Sequence, residues 1–198
     1  MKAVGRGGVA WIPSAALLLS GCVSVVVPPA HPVDPVEVFL SQEGIHSGLV
    51  LPRPEGGYVE YGYGDWDWYA LNCDRWYHVF DTVLWPTQGA LGRRSYAART
   101  AEELRAEARG PALDSLAVSR RDAEGLLREL DARFEATRDT EVYNEVSGMR
   151  LVQVPEGFWC CYGCADATSE WLRRLGCSVS CTVIRTRLVV RAPPRDRP

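Results

Sequence analysis

Short alternating runs of apolar and polar residues dominate the chain, and in three places the spacing switches to that of a helix. Strands are expected over 36–40, 48–51 and 58–63, the last two joined across Pro52-Arg53-Pro54-Glu55-Gly56-Gly57, a stretch of turn formers. Together they predict an antiparallel hairpin. Thr100 followed by Glu103 is a capping-box signature for a helix over 101–109. Ser119 is placed to cap a longer helix in which Ala123, Leu126, Leu127, Leu130 and Phe134 recur at helical spacing. Further strands are expected over 149–154 and 182–190, flanking a third helix that opens at Cys164. On that helix Thr168, Trp171, Leu172 and Leu175 continue one face from Cys164, Glu170, Arg173 and Arg174 lie elsewhere, and Gly176 supplies a stop. The pattern predicts an α+β fold, a largely antiparallel sheet with helices packed against it.

The ends follow a different logic. Lys2 and Arg6 precede a mostly apolar run over 9–19, and Leu19-Ser20-Gly21-Cys22 matches a bacterial lipoprotein cleavage signal, so 1–21 is expected to be a signal peptide. The run is well short of the ~20 apolar residues a spanning helix needs. Cys22 is then the expected lipidation site and the membrane the expected partner, reached through an N-terminal lipid. Val23 in place of an aspartate after Cys22 points to the outer membrane, facing the periplasm, in a Gram-negative host. Residues 22–34, with three prolines, are expected to be a tether, 35–190 a single domain, and 191–198 a frayed tail. Composition is ordinary for a globular protein, at 46% hydrophobic and 24% charged. The net charge of -3 gives no reason to invoke nucleic acid.

Candidate chemistry centres on Cys164. A cysteine at a helix N-terminus has free N–H groups and the positive dipole end beside its sulfur, which favours the thiolate, and a histidine elsewhere can act as its base. His46, in Ile45-His46-Ser47-Gly48, is that candidate, expected within hydrogen-bond reach of the thiol. The plainer alternative for His46 is a hydrogen-bonded core histidine; His31 falls in the tether and His78 among aromatics. Cys161-x2-Cys164 with Cys177-x3-Cys181 has the look of a zinc site, but a helix from Cys164 onward holds Cys164 and Cys177 ~20 Å apart at ~1.5 Å per residue, too far for one ion. No metal or cofactor is therefore expected. Disulfides are the stronger rival in an exported protein, because Cys73, Cys160, Cys161, Cys164, Cys177 and Cys181 form an even set. Cys73 with Cys160 or Cys161, and Cys177 with Cys181, are the pairings weighed. The aromatics Tyr58, Tyr61, Tyr63, Trp66, Trp68 and Tyr69, with Asp65 among them, are either sheet packing or the walls of a cleft for a sugar or peptide.

Taken in order, Ile45-His46-Ser47-Gly48-Leu49-Val50-Leu51-Pro52, Tyr58-Val59-Glu60-Tyr61-Gly62-Tyr63-Gly64-Asp65, Trp68-Tyr69, Leu84-Trp85-Pro86, Cys164 and Trp171-Leu172-Arg173-Arg174-Leu175-Gly176 resemble a bacterial family of unknown function found in urease gene regions. More broadly, His-x-Gly on an early strand and a late cysteine at a helix start resemble the circularly permuted papain-like proteins, the lecithin:retinol acyltransferase-like group. The resemblance implies a permuted papain-like fold, Cys164 as nucleophile and His46 as general base. Glu60 is the orienting carboxylate of choice, with Asp65 and Tyr58 as rivals, and Tyr58, Asp65, Trp66 and Trp68 are candidate substrate-binding residues. Gly163 and Ala165 depart from the relatives' pattern beside the cysteine, at positions that could shape an oxyanion site. The implied activity is hydrolysis or acyl transfer on an amide or ester, such as a peptidoglycan peptide. The competing expectation is a noncatalytic binding or structural lipoprotein that retains the fold.

Overall fold

In the computed structural model, which describes residues 23–44, 46–73, 85–180 and 187–193, the strands are β1 (Val23–Val27), β2 (Pro35–Glu43), β3 (His46–Pro52), β4 (Tyr58–Asp65), β5 (Thr87–Tyr96), β6 (Ala112–Ser119), β7 (Val142–Asn144), β8 (Met149–Phe158), β9 (Ser178–Val179) and β10 (Arg187–Val190). The α-helices are α1 (Ala101–Glu107), α2 (Arg120–Ala136) and α3 (Cys164–Arg174), with a π turn at Trp66–Ala70. Seven strands form one sheet in the order β6-β2-β3-β4-β5-β8-β7, every pairing antiparallel. A second sheet has the order β10-β1-β9, with β1 parallel to β10 and antiparallel to β9. The architecture is α+β and mostly antiparallel. Among the described residues no helix is long and apolar enough to cross a membrane.

Side-chain alternation along the central strands sorts the sheet into two unlike faces. Leu49 and Leu51 of β3, Val59, Tyr61 and Tyr63 of β4 and Leu91 of β5 share the main hydrophobic cluster with Leu126, Leu127, Leu130 and Phe134 of α2 and Ala167, Trp171 and Leu172 of α3. At about 1.5–3 kcal/mol for each large apolar side chain buried, this face contributes most of the driving force. The opposite face carries two smaller clusters. One joins Phe39 and Val50 to Tyr96, Ala98 and Leu104; the other joins Trp66 and Ala70 to Ala90, Met149 and Leu151. Between them the strands present Gly48, Gly62, Gly64 and Gly92, with Gly48 paired to Gly62 and Gly62 to Gly92. That glycine bed leaves room for the candidate site.

Several local expectations are met with altered boundaries. The hairpin turn closes through the Arg53 and Gly57 backbones, and Gly56 and Gly57 have φ of +102° and +86°, the left-handed region that favours glycine. Thr100 accepts from the Glu103 N–H at 3.1 Å, while the Glu103 carboxylate reaches back to the Arg99 N–H at 2.7 Å. Ser119 does stand at the α2 N-cap, yet its hydroxyl caps nothing. Asp34 takes that role from outside, its carbonyl accepting from the Arg120 N–H and its carboxylate from Arg120 Nε at 2.7 Å. Only Arg187–Val190 of the strand expected over 182–190 falls among the described residues as a strand.

Several segments differ outright from expectation; β6, β7 and β9 form where no strand was expected, and two more cases carry a physical reason. The tether expected over 22–34 begins as β1, because Val-Ser-Val-Val-Val is a β-branched run whose Val26 is fully buried against the main cluster. Residues 87–96, for which no strand was expected, form β5, an interior strand of the large sheet. Thr-Gln-Gly-Ala-Leu-Gly-Arg-Arg-Ser-Tyr has glycines and paired arginines where a strand pattern would have β-branched residues, and its neighbours β4 and β8 supply the ladder that its own propensity does not.

Candidate functional site

Tyr69 organises the glycine-bedded face. The π turn that carries it starts from Asp65, whose carboxylate accepts from the Trp68 N–H at 2.8 Å and from the Thr87 hydroxyl. The Tyr69 ring lies over the glycines: a Cβ on Gly64 would sit 2.7–3.0 Å from its Cδ1, Cγ and Cβ, and one on Gly62 would sit 2.6 Å from its Oη. The hydroxyl donates to Met149 Sδ at 2.7 Å. His46 stacks on this ring with centroids 4.4 Å apart and a 44° tilt, and its Nε2 would be 3.0 Å from a Gly62 Cβ. A side chain at Gly62 would press on both rings, and one at Gly64 on Tyr69.

His46 is half-buried, and its Nε2, sealed from solvent, has no hydrogen-bond partner. Burial lowers its pKa to about 4, against a smaller upward pull from Glu60 and a further downward push from Arg94. His46 is therefore neutral near pH 7, the protonation state a base needs.

Cys164 opens α3 at the edge of the same space. Gly163 is the N-cap in an extended conformation, and the Asp166 carboxylate accepts its N–H at 3.0 Å. Burial raises the thiol pKa, while the backbone and hydroxyl of Ser47 and the Ala165 backbone, bonding to the sulfur, pull it back in part. Ser47 itself is locked to α3, its hydroxyl 3.4 Å from the Thr168 hydroxyl and its carbonyl accepting from Thr168 Oγ1 at 3.2 Å.

Cys164 and His46 both line a cavity of about 360 Å³, together with Glu60, Tyr63, Tyr69 and Arg94. The expected hydrogen bond between imidazole and thiol is not formed. The reason is alternation: Ser47 faces α3 and engages the sulfur, so its neighbour His46 faces the other way, onto Tyr69.

Glu60, expected to orient the imidazole, is instead held by another pair. Its Oε2 accepts from Arg94 Nη2 and Tyr96 Oη, both at 2.6 Å, and from Arg94 Nε at 3.1 Å. Arg94 also donates to the Ser147 carbonyl at 2.9 Å. Glu60 thus reaches His46 through its field and not through a hydrogen bond. Of the aromatic candidates, Trp68 lines the cavity with Asp65, whereas Tyr58 packs edge-on to Phe39 at 5.8 Å and Trp66 lies in the Met149 cluster. Arg94 is the residue that sequence reasoning left without a role, and Tyr69 was named only as one of six aromatics that pack the sheet or wall a cleft. The signal for Tyr69 was the matched run Gly62, Gly64 and Gly92, a bed for one flat ring.

Among the described residues no disulfide links two cysteines. Cys160 and Cys161, consecutive and exposed, have sulfurs 3.5 Å apart, and Cys177 is buried, which raises its pKa to about 11. Cys22, His78 and Cys181 lie outside the described residues. Among the described residues no group of three or more His, Cys, Asp or Glu side chains is placed to hold a metal ion. No protein-family profile, curated protein or solved structure matches the chain.

Proposed function

We propose that the cavity is the site of a thiol-dependent hydrolase or acyl transferase acting on an amide or ester, built on a circularly permuted papain-like domain and carried by an envelope lipoprotein anchored through Cys22. The supporting observation is that a cysteine at a helix mouth and a neutral, half-buried histidine from the far end of the chain border one cavity. In this reading the proton of Cys164 Sγ crosses the cavity to His46 through one bridging water, since Ser47 holds the sulfur on one side of β3 and His46 leaves the other. The thiolate attacks the carbonyl carbon, and the N–H groups at the start of α3 steady the oxyanion. The imidazolium then protonates the leaving amine or alcohol, and water or a second acceptor releases the acyl group. Glu60 steadies the imidazolium electrostatically, and Tyr69 sets the ring's orientation. A peptidoglycan peptide is the substrate class that an envelope location favours.

The second reading, a noncatalytic binding lipoprotein, is favoured by a specific observation: the sulfur is engaged by Ser47 and Glu60 is committed to Arg94 and Tyr96. Thiol alkylation at neutral pH separates the two. The enzymatic reading expects Cys164 to be labelled faster than buried Cys177 and expects His46→Gln to slow that labelling by about a hundredfold, the low end of what one positioned general base contributes. Equal labelling in the wild type and the variant refutes it and leaves the binding reading.

A further inference from the structure

The exposed cysteine pair ahead of α3 has no part in the chemistry above. Trp159 and Tyr162 form a two-residue turn, each backbone N–H donating to the other's carbonyl, at 3.2 Å from Trp159 and 3.0 Å from Tyr162. The two residues at its tip are Cys160 and Cys161, both exposed to solvent, with sulfurs 3.5 Å apart. Contact with the Cys160 sulfur is the chief cause of a raised Cys161 thiol pKa. Both ends of the turn are held in place. Tyr162 packs edge-on to Tyr63 with centroids 5.5 Å apart and donates its hydroxyl to Glu170 at 2.9 Å, and Trp159 follows directly on β8.

We propose that Cys160 and Cys161 are a redox-active vicinal dithiol that closes to a disulfide with each other, rather than to the distant partners that cysteine counting suggested. Two features favour the vicinal bond. The sulfurs already lie 3.5 Å apart, so closure brings no other segment of the chain into place. Both are open to solvent, whereas Cys177 is buried and Cys164 is set into the cavity wall, so a bulky oxidant reaches the pair first. The oxidant is a small or protein disulfide. One thiolate of the pair attacks a sulfur of that disulfide and expels a thiolate; the second then attacks the protein sulfur of the mixed disulfide and expels the other. Two electrons pass to the oxidant, one S–S bond forms in the protein as one breaks in the oxidant, and the two thiol protons end on the two released thiols. Because the turn leads through Tyr162 and Gly163 into Cys164, its redox state is set beside the cavity mouth.

The full chain, incubated with oxidised glutathione, acid-quenched and alkylated, tests this. Trypsin cleavage after Arg150 and Arg173 releases one peptide carrying Cys160, Cys161 and Cys164. The expected result is a peptide that has lost two of three alkyl groups relative to the reduced sample, with fragmentation placing the remaining one on Cys164. Cys164→Ser should leave the bridge intact and Cys160→Ser should abolish it. An alkyl group on Cys160 or Cys161, a cross-link to a peptide bearing Cys73, Cys177 or Cys181, or a Cys161–Cys164 bridge that Cys164→Ser removes overturns the proposal.

Discussion

Replacing Gly64 by alanine tests the arrangement on which the site depends. The added methyl would meet Tyr69 Cδ1 at 2.7 Å, Cγ at 2.9 Å and Cβ at 3.0 Å. Cβ moves only with the backbone and Cγ lies on the χ2 axis, so rotation about χ2 leaves those two contacts in place. Overpacking of this kind costs about 1–3 kcal/mol, which at roughly 2–4 °C per kcal/mol for a domain of this size lowers Tm by roughly 2–12 °C. Gly125, inside α2, is the control: nothing lies within 4 Å of a Cβ there, so Gly125→Ala should stabilise by about 0.5–1 kcal/mol through helix propensity alone. Urea denaturation and thermal melts read both. The cause is isolated by a double-mutant cycle, in which Gly64→Ala should lose most of its cost in a Tyr69→Ala background. A Gly64→Ala protein as stable as the wild type, or an unchanged cost after Tyr69 is removed, refutes the placement of Tyr69 on the glycine bed.

Three further outcomes are expected. With its folded pKa near 4 and an unfolded value near 6.5, His46 takes up a proton first in the unfolded chain as pH falls; its stabilising contribution is complete above about pH 6.5 and is lost toward pH 4, about 3 kcal/mol in all. His46→Gln should flatten that part of the urea midpoint against pH curve, and an unchanged slope contradicts the burial of a neutral ring. Tyr96→Phe removes a 2.6 Å bond to the Glu60 carboxylate and should cost about 1.5–3 kcal/mol by chemical denaturation. Ser47→Ala removes a hydroxyl that favours the Cys164 thiolate, so the pH profile of Cys164 alkylation should move upward, and a profile that stays in place dissociates Ser47 from the sulfur.

Amphipathic spacing made the helices legible: the five residues named for α2 are all buried on one face, and Cys164 stands at the first position of α3. Local pattern also found the β3–β4 hairpin. It missed β5, whose glycines and arginines look like a loop until β4 and β8 lie on either side of it. That omission hid the partner of Glu60, since Arg94 faces Glu60 only across the β4–β5 ladder. Alternation in β3 already placed His46 and Ser47 on opposite faces, yet the resemblance to His–Cys enzymes drew attention to His46 when Ser47 is the residue that touches the sulfur. The strand at 23–27 was obscured by the prolines that follow it.

The parallel pairing of Val23 with Arg187 also bears on synthesis. β1, the first strand of the described residues, must wait for β10, the last, before that ladder can close, and until then Val25 and Val26 offer an unfilled edge to any neighbouring chain. Loss of the C-terminal strand by truncation makes that waiting state permanent, and self-association of the shortened polypeptide is the consequence.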